Sequence, residues 1–163
     1  TIATTGNATN FGDLTQARQQ AAGISNSTRA VFAGGYFPST FNVIDYVTIA
    51  TTGDATDYGD LIQGLYASAR GASPVRGVIA GSNSGGAENS IVYVTIATTG
   101  NAKDFGDLSE SRFRLSGCSN STRSVFGGGI TPSNTQTIEF VTISTSGNGQ
   151  DFGDLYKHKK NLQ

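Results

Sequence analysis

The 163-residue chain predicts an all-β fold assembled from one repeated four-stranded unit. Three observations carry that expectation. The stretch "IATTGNATNFGDL" from Ile2 returns as "IATTGDATDYGDL" from Ile49, "IATTGNAKDFGDL" from Ile96 and "ISTSGNGQDFGDL" from Ile143, a spacing of 47 each time. No apolar stripe at helical spacing runs through any period. Each period instead holds short runs of Val, Ile, Thr and aromatic residues between Gly, Asn and Pro, the grammar of strands and turns.

Lettering the strands of a unit a to d from the inside outward, the segment around Ser68 to Ala72 reads as a short innermost strand a. "RAVFAGG" (Arg29 to Gly35) is nearly continuous small-apolar, as an inner strand b covered on both faces would be. "NVIDYVTIA" (Asn42 to Ala50) is a longer β-branched strand c. "TTGDAT" then turns the chain, with Gly53 supplying a positive φ that other residues resist. "DYGDLIQ" (Asp57 to Gln63) is the outer strand d, in which Gly59 implies a bulge or a close backbone approach. The repeats span 2–48, 49–95 and 96–142 with a partial fourth at 143–163, all in a single repeat domain, 1–163.

Four strands in 40–50 residues is the period of a β-propeller blade. The chain resembles kelch-type blades in the paired glycines that end strand b, Gly34-Gly35 and Gly128-Gly129. It resembles them also in the outer-strand aromatic and leucine, as in Phe105 and Leu108, with Arg18 or Arg112 following. It departs in having Phe or Tyr where kelch blades carry an outer Trp, and Gly81-Ser82 in place of one double Gly. The Thr- and Gly-rich style is also similar to the repetitive propeller proteins of marine bacteriophages. The resemblance implies a propeller of 47-residue blades and a virion-associated or other extracellular setting.

In that reading the chain runs d, then abcd three times: three full blades and an orphan outer strand, Thr1 to Leu14. Propellers close with about 4–8 blades, so the expected partners are other blades of a longer chain or further copies of this one. The missing initiator Met, with Thr1 in its place, also suggests a processed or excerpted piece of something longer.

Composition narrows the function. Gly is 22 of 163, roughly twice its usual share. A net charge of −1 offers no basic footprint for nucleic acid and no polybasic membrane face, and no apolar run reaches the roughly 18–20 residues of a membrane span. One cysteine, Cys118, cannot form an internal disulfide or a cysteine metal site; it is expected to be a buried small residue. The one histidine, His158, sits in "KHKKN" as a solvated tail residue. No catalytic residue, metal site or cofactor is expected.

Several motifs have plain structural readings. "DFG" at Asp104 and Asp151 recurs with the period and lacks the rest of a kinase. "GGG" at Gly127 to Gly129 ends a strand, with no helix to cradle phosphate. "DYGD" supplies two carboxylates, short of the six or more oxygens calcium takes. The Asn-x-Thr sequons at Asn7, Asn26 and Asn120 read as turn asparagines bonding their own backbone. Asp13 with Arg29, Asp60 with Arg76 and Asp107 with Arg123, each pair 16 apart, are expected to tie neighbouring blades, as ion pairs or carboxylate–backbone contacts.

The repeats differ most in the b–c loops ("YFPSTFN", "NSGGAEN", "ITPSNTQ") and the d–a segments ("ARQQAA", "GLYASA", "SRFRLS"), which share one rim of a blade. Repeat proteins commonly bind through their variable face. Tyr36, Phe37, Phe41, Tyr66, Arg112 and Phe113 are the aromatic and Arg anchors it would use. The expected function is a non-enzymatic structural or recognition module that binds protein or glycan through this rim. The alternative is a segment of a glycan-active, hydrolase-type propeller enzyme whose catalytic residues lie largely elsewhere.

Overall fold

The computed structural model describes residues 5–156. Among them the chain forms fourteen strands and no helix. The first sheet is β1 (Ala22–Ser25), β2 (Arg29–Ala33), β3 (Val43–Thr48) and β4 (Thr56–Asp60). The second is β5 (Ala69–Ala72), β6 (Arg76–Asn83), β7 (Ala87–Thr95) and β8 (Lys103–Asp107). The third holds β9 (Ser116–Ser119), β10 (Arg123–Gly127), β13 (Thr137–Thr142) and β14 (Gln150–Asp154), with the hairpin β11 (Ile130–Thr131) and β12 (Ser133–Asn134) set between its second and third strands. Each sheet is an antiparallel meander in chain order. In the first sheet strands b and c are where the sequence expects them, one or two residues shorter at their ends, and strand d begins one residue early at Thr56 and ends three early at Asp60. In the second sheet strand a begins at Ala69, while β6 and β7 extend beyond the expected b and c toward each other.

The sheets stack face to face, β1 beside β5 and β5 beside β9. One core lies between the first and second sheets, around Val31, Ile44, Ile79 and Ile96. The other lies between the second and third, around Val78, Ile91, Phe126 and Ile143. The middle sheet is therefore covered on both sides, and β6 is buried along nearly its whole length. That explains why strand b reads as continuous small-apolar sequence rather than alternating. Complete burial of a Val, Ile or Phe side chain contributes about 1.5–3 kcal/mol, so these two interfaces hold the stack together.

The outer strand is bulged at the same place in all three sheets. Ile44 faces Gly59 while Asp45 faces Asp57, which leaves Tyr58 as the extra residue. Phe105 and Phe152 are extra in the same way. The bulged aromatic lies edge-on to the strand-c aromatic: Tyr46–Tyr58 at 6.1 Å, Tyr93–Phe105 and Phe140–Phe152 at 6.0 Å. An arginine caps each pair from the other side, Arg29 at 4.3 Å from Tyr46, Arg76 at 4.5 Å from Tyr93 and Arg123 at 4.6 Å from Phe140. Gly59 follows the bulged Tyr58 directly and is closely approached, as the sequence expects. It has φ +139, and a Cβ there would lie 2.7 Å from the carbonyl carbon of Gly100 in the next sheet's turn.

That approach is a backbone stitch between successive repeats. Gly100 and Ala102 donate their N–H groups to the carbonyls of Tyr58 and Asp60 at 2.7 and 2.8 Å, and the Asp60 N–H donates to Asn101 Oδ1 at 3.0 Å. Phe105 and Asp107 are stitched identically to Gly147, Asn148 and Gly149. Phe11 and Asp13 make the same contacts to Gly53, Asp54 and Ala55. Of the expected outer strand Thr1 to Leu14, the first four residues lie outside the described residues. Residues 5–14 pair with no strand, because a ladder needs a strand c alongside.

Two expectations need correction. Among the described residues no ion pair joins Asp13, Asp60 or Asp107 to an arginine. The aspartates are held through their backbone, as above. The arginines reach forward to carbonyls of the following sheet instead: Arg29 to Ala97 and Arg76 to Ser144, both at 2.9 Å. Cys118 is exposed rather than buried. Its repeat equivalents Ile24 and Gly71 are covered by the next sheet, whereas all of β9 faces solvent.

Candidate functional site

The variable rim is built on an unvarying backbone frame. In each repeat one residue of the d–a segment exchanges two backbone hydrogen bonds with one residue of the b–c loop: Gln19 with Tyr36, Tyr66 with Asn83, and Phe113 with Ile130. These positions are 47 apart in both series. Crossing so close to the end of strand b requires glycine there: at Gly34, with φ +63, a Cβ would lie 2.4 Å from the Leu65 carbonyl oxygen. The two segments that differ most between repeats are thus pinned together on the same edge of the stack.

The side chains on this frame differ in kind. In the first repeat Tyr36 bridges to Thr40 as well, which folds 36–41 into a tight loop and leaves Phe37 64% exposed. Tyr36 is half-buried against Tyr66 of the next repeat, ring centres 4.9 Å apart. Phe41 is half-buried, and its N–H donates to the Gly35 carbonyl. Phe113 is half-buried with the Arg114 guanidinium 5.7 Å from its ring. In the second repeat β6 and β7 run on into a hairpin tipped by Gly85 and Gly86, where Ser84 donates to Glu88.

Arg112 is not part of this surface. Its side chain is wholly buried, ion-paired with Glu139 and donating to the carbonyls of Gly128 and Thr137. Arg18 is buried likewise against Asp45 at 2.8 Å. Sequence spacing could have shown this, because position 18 and position 45 switch together between repeats. A cation faces a carboxylate in the first and third, and Leu65 faces Val92 in the second.

Beside the aromatic patch is a pocket of about 290 Å³ lined by Gln20, Ala21, Ala67, Ser68, Arg70, Arg114 and Leu115. Gln20, Ala67 and Arg114 are repeat equivalents and share a left-handed backbone, φ +58, +55 and +57. Ser68 is 4% exposed, and its Oγ has no hydrogen-bond partner. The rim therefore combines exposed aromatic faces, two exposed guanidinium groups and a small polar cavity. Such a set can stack on planar or sugar rings and pair with carboxylate or sulfate oxygens.

The opposite rim is closed by its own turns. Asn26 and Asn120 accept hydrogen bonds from the backbone two and three residues on, as expected for those two sequons, and Ser73 does the same. Tyr58 donates its hydroxyl to the Thr95 carbonyl at 2.6 Å. Burial raises its pKa above the usual phenol value, and the Arg29 charge offsets part of that rise. Among the described residues no group of three or more His, Cys, Asp or Glu side chains is placed to hold a metal. No protein-family model matches the chain, and neither does any curated protein compared with it.

Proposed function

We propose that this chain is a non-enzymatic recognition and structural module, a kelch-like propeller segment carried on a virion or other extracellular surface. It binds protein or glycan through the rim that bears Phe37, Tyr36, Tyr66 and Phe113. The observation that carries this reading is the fixed bridge with changing side chains: one backbone frame presents Gln19 and Tyr36, Tyr66 and Asn83, or Phe113 and Ile130. A frame that holds its shape while its side chains vary is what a binding rim requires. The near-neutral charge supports a partner other than nucleic acid, and the aromatic patch beside Arg70 and Arg114 supports stacking on a ring with an acidic substituent.

The test is binding of the full chain to arrays of microbial surface polysaccharides and of surface proteins. Phe37→Ala should weaken the best hit by roughly 10-fold or more, the usual effect of removing a central aromatic anchor, while leaving thermal unfolding unchanged. Equal binding by the variant, or no hit on either array, would remove the rim from this role.

A further inference from the structure

The two interior interfaces are one interface seen twice, and each end of the stack presents one half of it. On the first sheet Ala30, Phe32, Val47 and Ile49 stand where the second sheet has Gly77, Ile79, Val94 and Ile96. The last three of those are at most 3% exposed, whereas Ile49 is 42% exposed. On the third sheet Cys118, Phe152 and Leu155 stand where the first has Ile24, Tyr58 and Leu61. Those equivalents are at most 5% exposed, whereas Phe152 is 57% and Leu155 46% exposed.

The seat on the first sheet already has an occupant. Residues 11–14 sit there with the stitch that Tyr58 and Asp60, or Phe105 and Asp107, make elsewhere. The occupant is held loosely. Phe11 is 38% exposed, and a cavity of about 370 Å³ remains between the segment and Ala30, Phe32, Val47 and Ile49. Relative to the following repeat, Phe11 and Gly12 hold the register of Phe152 and Gly153. The two segments therefore claim the same place.

We propose that copies of this chain dock head to tail, the third sheet of one on the first sheet of the next. In doing so, β14 of the first copy displaces residues 11–14 of the second. The displaced segment is the one that yields because it pairs with no strand, whereas β14 is laddered to β13 from Thr137 to Phe140. The fit follows from the interior. Ile24 packs on Gly77 and Gly71 on Ser124, and the same step sets Cys118 against Ala30, again one larger residue or none against a small one. Arg29 and Arg76 each donate to carbonyls 67 and 68 residues ahead. The same step brings Arg123 to the carbonyls of Ile49 and Ala50 of the next copy. Such a contact is heterologous, so it propagates until the rotation closes a ring. It stands independently of what the rim binds.

The full chain is tested by light scattering over a concentration series, with the alkylation rate of Cys118 as a local readout. Association should grow with concentration while Cys118 alkylation slows. A Cβ on Gly12 would lie 2.1 Å from the Gly53 carbonyl oxygen, so Gly12→Val expels the segment. Association should then occur at roughly 10-fold lower concentration, since three hydrogen bonds no longer hold the seat closed. Phe11→Ala should act in the same direction more weakly. A Cβ on Gly153 meets nothing in the isolated chain but would strike the Gly53 backbone of a docked copy. Gly153→Val should therefore stay monomeric and keep the fast Cys118 rate. Monomers at every concentration for both the wild type and Gly12→Val would overturn the proposal. So would association of Gly153→Val at wild-type strength.

Discussion

The first and third sheets solve one packing problem with charge, and the middle sheet solves it with hydrocarbon. In the first, Arg18 pairs with Asp45, whose carboxylate also accepts from the Thr15 hydroxyl at 2.7 Å and the Thr15 N–H. In the third, Arg112 pairs with Glu139, which accepts from the Ser109 N–H. In the middle sheet the three positions are Ile62, Leu65 and Val92, the last two buried. All three residues change together, and the sheet topology does not. The lesson is that a buried ion pair here is exchangeable with an apolar pair as a unit, as expected when desolvation offsets most of the attraction. The charged versions are not even fully satisfied, since Arg18 Nε and Nη1 and Arg112 Nε are buried without partners.

The largest expected effect comes from breaking that unit. Glu139→Val alone leaves the Arg112 guanidinium buried without its carboxylate and should cost about 3–5 kcal/mol. Adding Arg112→Leu should bring stability back to within about 1–2 kcal/mol of the parent. Urea unfolding of the single and double variants measures both. A double variant as unstable as the single would mean the middle sheet's solution depends on its own surroundings.

A smaller effect separates an interior arginine from an end one. Arg76 caps Tyr93 and donates to Ser144 across the interface, whereas Arg123 caps Phe140 on the open face. Arg76→Ala should cost about 1.5–3 kcal/mol, the range for hydrogen bonds from charged groups. Arg123→Ala should cost about 0.5–1 kcal/mol, the worth of an exposed cation–π contact. Equal losses in chemical denaturation at low protein concentration would erase the distinction.

The smallest concerns Tyr58, whose equivalent Phe105 packs without a hydroxyl. Tyr58→Phe should cost about 0.5–1.5 kcal/mol, the net value of its bond to Thr95. Because the folded pKa of Tyr58 is raised above the unfolded value of 10.0, its contribution is complete below that value. It is lost as pH rises through the folded pKa, where the unfolded state binds fewer protons than the folded one. The variant should lose less stability than the parent above about pH 10, read as unfolding free energy against pH.

Much of this molecule is written locally. The 47-residue period, the strand runs, the bulge glycine of "FGD" and the turn asparagines Asn26 and Asn120 all follow from residue types acting on their own backbone within a few positions. Such effects do not depend on what lies across the sheet, so the sequence determines them alone. The convergence of the variable segments on one edge was legible for the same reason, because strand order in a meander dictates which loops share a rim. Tertiary structure decided the identity of partners for which the repeats carry no linked change: whether Arg29 met Asp13 or the Ala97 carbonyl, and whether Cys118 was covered. Those outcomes depend on how one sheet stacks on the next, and on which sheet has no neighbour. Burial and pairing are set by surfaces brought together from about 30 to 70 residues apart, where the local chain carries no signal of its own.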